Sequence, residues 1–130
     1  MTRPIRIEIA PGELIDRITI LEIKAERIAD AGQRANVLIE LATLTDARAA
    51  AISPDGEIDR LAAELKAVNE ALWEIEDDIR ECDRDGDFGP RFVELARAVY
   101  RTNDRRAELK RAVNLRLGAR LVEEKSYKPY

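Results

Sequence analysis

The chain has 130 residues, 37% charged and 5% aromatic, with a net charge of −4, a single cysteine and no histidine. That length suits one domain with a real core and not two. Without histidine, and with Cys82 alone, an internal disulfide, thiolate–imidazole zinc sites and every histidine-based triad are excluded; no motif names a cofactor, and no metal or cofactor is expected.

The charge is unevenly spread, at −1 over residues 1–52, −9 over 53–90 and +6 over 91–130. The acidic and basic segments are expected to pair with each other. Their proximity would cancel the field that a nucleic acid needs. No uncharged run approaches the roughly 18 residues of a membrane span, and the start is not that of a signal peptide. The expectation is a cytoplasmic protein that binds neither nucleic acid nor membrane.

In chain order, Ile5, Ile7 and Ile9 alternate with Arg6 and Glu8, which predicts a short strand over 5–9. A lone strand needs an edge, either the same strand of another copy or the terminal tail. Pro11-Gly12-Glu13 opens a helix over 12–30. Its main stripe is Leu14, Ile18, Leu21, Ala25 and Ile28, while Ile20 and Ile23 project from the opposite side. A helix apolar on two sides is central in a bundle or held between two chains; a homodimer through the second side is the expectation. A more polar, peripheral helix over 33–52 would turn Val37, Leu38, Leu41, Leu44 and Ala49 inward. Ser53-Pro54-Asp55-Gly56 is a turn.

From Ile58 to Cys82, apolar residues recur at alternating spacings of three and four, an a/d seam of coiled-coil type. The helix over 57–83 would carry about 36 Å of seam at 1.5 Å per residue. A second arm over 90–118 repeats the pattern with Phe92, Leu95, Val99, Leu109, Val113 and Leu117, and 119–130 is a tail. The predicted fold is all-α, a helical bundle built on a long antiparallel helical hairpin, with a short N-terminal strand.

Three constellations carry candidate chemistry. Asp83-Arg84-Asp85-Gly86-Asp87 with Glu94 twelfth matches a calcium loop in part, but Phe88 and Pro90 break the pattern; the plain alternative is a polar reversal. Mid-spine, antiparallel pairing gathers Asn69, Thr102, Asn103 and Arg106 on or beside the apolar seam. Such polar residues commonly fix register. The sharper reading is a small anion-binding pocket, because an interior arginine needs a carboxylate or an external anion; Asp16, Glu22 and Glu26 are the internal candidates. In the tail, Lys125, Tyr127, Lys128 and Tyr130 form an interaction element that docks on its own bundle or on a partner protein.

Gly12-Glu13-Leu14-Ile15-Asp16-Arg17-Ile18-Thr19-Ile20-Leu21-Glu22-Ile23-Lys24, Leu72 to Glu76, Val99 to Arg106 and Leu121 to Tyr130 resemble the blocks of an uncharacterised bacterial and viral helical family, a domain of unknown function. That resemblance implies at most an accessory role in envelope glycan or polysaccharide synthesis. Ile15-Asp16-Arg17-Ile18 is also similar to the opening of the all-helical chorismate mutases, although Thr19 replaces their second Asp. Such an enzyme would clamp an anionic metabolite with Arg17, Lys24 or Arg106 and need no nucleophile. The leading expectation is a non-enzymatic interaction or scaffold protein.

Overall fold

A computed structural model describes residues 1–130. The chain folds into four helices, α1 (Pro11–Arg27), α2 (Ala31–Ala51), α3 (Gly56–Arg84) and α4 (Pro90–Arg116), with no strand. No helix is long and apolar enough to cross a membrane.

α1 is the element that everything else touches. Its neighbours are α2, α3 and α4, whereas the backbone of α2 approaches α1 alone. At 100° per residue, Leu14, Ile18, Leu21 and Ala25 lie on one side, and Gly12, Asp16, Thr19 and Ile23 on the other. The first side meets α2, whose Val37 is buried. On the other side, Ile23 is buried and Ile20 half-buried against Leu72 and Trp73. Each apolar side of α1 thus meets helices of its own chain, although Ile20 stays half-exposed at a cleft of about 400 Å³.

Capping explains where the helices begin and stop. Asp30 accepts from the Gln33 amide at 2.8 Å, and Asp55 accepts from the Glu57 amide at 2.9 Å. The α4 helix ends at Gly118, whose φ of +62° lets Ala119 donate back to the Asn114 carbonyl. On α2, Leu38 and Ala49 are exposed, against the expectation that both face inward, because the backbone of α2 packs closely on α1 alone.

α3 and α4 run in opposite directions along each other. Asp55 meets Arg116 at 3.2 Å, Glu64 meets Arg105 at 2.8 Å, and Arg91 approaches the Cys82 sulfur. Burial along the α3 seam is uneven. Ile15 of α1 joins Ile58, Leu61 and Leu65 of α3 and Leu109 and Val113 of α4 in one core. Beyond Asn69 the seam residues Leu72, Ile75 and Ile79 are only half-buried. α1 ends there, with Arg27 beside Glu70, Glu74 and the Trp73 ring, so the far half of the α3–α4 pair has no third helix.

Residues 1–10 form no strand, contrary to the sequence expectation. None of residues 1–9 makes a backbone hydrogen bond to another segment. The reason is the absence of an edge, since every other regular element is a helix with its own backbone groups already satisfied. Ile5 and Ile7 are 91% and 76% exposed. The segment is tied to the body by a forked ion pair between Glu8 and Arg120 and by half-buried Ile9.

Candidate functional site

The side of α1 that faces α3 and α4 carries the buried polar groups of the protein. Asp16 is fully buried, and its carboxylate accepts from Arg106 Nε at 2.9 Å and from Arg106 Nη2. Asn69 Nδ2 donates to Asp16 Oδ1 and to Thr19 Oγ1, both at 2.9 Å. Thr19 Oγ1 in turn donates to the Asp16 carbonyl at 2.7 Å. The hydrogen bonds it donates to Asp16 hold the Arg106 guanidinium firmly charged, above its ordinary range, and outweigh its partial burial.

One turn toward the start of α1 lies a second buried contact. Ala10 offers no side-chain cap; instead Asn114 Oδ1 of α4 accepts from the Gly12 amide at 2.8 Å. α1 approaches α4 so closely here that a Cβ at Gly12 would collide with the Lys110 carbonyl oxygen. Beside it, Lys110 bridges Glu13 at 2.7 Å and Glu123 at 2.9 Å. Burial lowers the lysine's proton affinity, and the two carboxylates more than restore it, so Lys110 stays charged.

This network is chemically closed. No buried side-chain nitrogen or oxygen lacks a partner. The Asp16 carboxylate is occupied by three donors, and the Thr19 hydroxyl is spent on a backbone carbonyl with no base beside it, so neither is set up for proton transfer or attack. Buried Cys82 lies on the α3–α4 seam. No group of three acidic or cysteine ligands converges anywhere in the chain. In the Asp83–Asp87 turn, Asp87 accepts from the Gly89 amide at 3.1 Å, while Glu94 pairs with Arg97 and Arg101 on its own helix.

Of the four mid-spine candidates, Asn69 and Arg106 meet at Asp16. Asn103 lines an adjoining cleft of about 400 Å³ with Trp73, Arg80 and Arg106, while Thr102 takes no part in the network. Asp16, one of the internal candidates, satisfies the arginine fork, which removes the need for an external anion. Glu76 and Asp77 also line the cleft and offset its two arginines. Neither Arg17 nor Lys24 lines it.

The tail residues gather against α4. Tyr130 Oη donates to Asp104 Oδ2 at 2.9 Å and its ring lies 5.0 Å from that of Tyr100. Lys125, Tyr127, Lys128 and Tyr130 line a cleft of about 780 Å³ with Tyr100 and Asn103. Sequence reasoning missed the roles of Gly12 and Asn114. The one available signal was a glycine in the first turn of an otherwise strong helix, which marks close backbone approach as readily as a turn.

No curated protein matches this sequence, and no solved structure does. Residues 5–129 match the family described as Family of unknown function (DUF6165). With nearly its whole length matched, the chain belongs to that family.

Proposed function

We propose that the protein is a non-enzymatic interaction module that self-associates through residues 3–9. The observation that carries this reading is the exposed segment around Ile7, whose backbone pairs with no other segment. It is self-complementary. Paired antiparallel with a second copy about Ile7, Ile5 lies opposite Ile9 and Arg6 lies opposite Glu8, twice each by symmetry. If Ile5, Ile7 and Ile9 take the hydrogen-bonding positions, Pro4, which has no N–H, falls where the backbone points outward.

A two-stranded ribbon alone is marginal in water. Here Ile9 sits at a cleft of about 420 Å³ lined by Pro11, Leu14, Ile52 and Leu117. Ile5 of a second copy, opposite Ile9, would cover that cleft, and each isoleucine so buried contributes about 2 kcal/mol. The closed polar network supports the non-enzymatic half of the reading, since it leaves no acid, base or nucleophile poised. On the sequence resemblance alone, we place the module as an accessory in envelope glycan assembly.

Light scattering on the purified full-length chain is expected to give twice the 14.7 kDa monomer mass. Ile7→Lys, which sets two ammonium groups on the two-fold axis, is expected to give 14.7 kDa with an unchanged helical spectrum. A monomeric parent chain would refute the reading. Consumption of chorismate by the purified protein would favour the enzymatic alternative instead.

A further inference from the structure

The protein has three tyrosines, and all three line the cleft between the tail and α4. The tail runs back along α4 as a strap. Glu123 and Glu124 are tied to Lys110 and Arg111 at 2.9 and 2.8 Å, and Tyr130 is tied to Asp104 and Tyr100. Between these ties it stands off the helix and leaves about 780 Å³. A tail docking for its own burial would fold its rings inward. Tyr127 and Tyr130 instead remain 78% and 75% exposed, although a ring is among the most favourable surfaces to cover.

The charges at this cleft are also unspent. Lys66 and Lys110 form ion pairs with carboxylates, whereas Lys125 and Lys128, both on the tail side of the cleft, form none. Lysine ammonium groups are effective phosphate binders, and tyrosine faces pack against rings. Asp104, on the α4 side, would repel a phosphate and accept from a hydroxyl or amide. That polarity sets an occupant's anion at the two lysines and away from Asp104. The volume falls in the range of about 300–1,000 Å³ typical of small-molecule sites.

We propose that the cleft between α4 and the tail binds a small phosphorylated compound whose ring adjoins the phosphate, with Lys125 and Lys128 on the phosphate and Tyr100, Tyr127 and Tyr130 around the ring. The site goes beyond self-association and uses none of residues 3–9. A sugar phosphate and a mononucleotide share this chemistry.

The test is a titration of the full-length protein followed by the ring-proton resonances of the tyrosines. The probes are glucose 1-phosphate, uridine monophosphate, glucose and inorganic phosphate. At least one of the two phosphorylated ring compounds is expected to shift the tyrosine signals saturably, and which one does so identifies the source. Glucose or phosphate alone is expected to bind at least about tenfold more weakly. The Lys125→Ala/Lys128→Ala double variant, altered only at exposed positions, is expected to keep its melting temperature and to lose about tenfold or more in affinity. Absence of a saturable shift with both phosphorylated compounds overturns the proposal, as does unchanged affinity in the double variant. Because the readout is tyrosine resonance and not mass, its failure is separable from failure of the dimer.

Discussion

Two carboxylates near the start of the chain, Glu8 and Asp16, each pair with an arginine about a hundred residues away, and their surroundings give them opposite consequences. Asp16 is fully buried and its partner Arg106 is 29% exposed, with Asn69 completing the set. Glu8 and Arg120 lie in solvent. A buried pair adds little net stability over an apolar equivalent, but its loss on one side only leaves a stranded charge, so it enforces one geometry. An exposed pair is weak and screened by salt. α1 is therefore locked in place against α3 and α4, whereas residues 1–9 are held only by an exposed pair and half-buried Ile9.

The largest effect expected from breaking this contrast is at Asp16. Asp16→Ala strands Arg106 and Asn69 and is expected to cost about 4 kcal/mol in urea unfolding. In the double variant Asp16→Leu/Arg106→Leu, the loss should be much smaller than the sum of the single losses, because neither charge is left unpaired. Gly12→Ala comes next, at about 2 kcal/mol, since α1 must move off the Lys110 carbonyl and weaken its bond to Asn114. Equivalent denaturation midpoints for Gly12→Ala and the parent would refute the close approach.

A smaller effect concerns acid. Burial pushes the Glu13 carboxyl up, but hydrogen bonds and charge from Lys110 and Arg17 prevail and hold it below the usual 4.5. A carboxyl held low in the folded state stabilises the fold above its ordinary value. It loses that contribution as pH falls from 4.5 through the lowered value. Glu13→Gln is expected to flatten that part of the melting-temperature profile and to leave its neutral plateau with a modest loss. A profile as steep as the parent's would show that Glu13 does not carry it.

Periodicity explains why the helical class was legible. The spacing from Ile58 to Cys82 needs a helix, and the two-sided apolar pattern of α1 needs cover on both sides. Which cover each side receives is not written in the pattern, because periodicity marks an apolar side and not the element that meets it. The meeting of Asn69 with Arg106 followed from antiparallel pairing, and Asp16 was among three possible partners. Thr102 stands outside the cluster because antiparallel pairing brings segments together without fixing which neighbouring side chain reaches the buried carboxylate. The strand over 5–9 failed for a physical reason. Alternation specifies a preference for an edge, and a single copy of this chain supplies none.

The claim that residues 3–9 pair with themselves meets its most direct test in charge reversal and mixing. Arg6→Glu and Glu8→Arg each place like charges opposite one another in a homodimer, so light scattering is expected to find each variant at 14.7 kDa. Mixed in equal amounts, one copy offers Glu at both positions and the other Arg, and a heterodimer of twice that mass is expected. Two variants that remain monomeric on mixing while the parent is dimeric, or that dimerise alone as well as the parent does, would contradict the account.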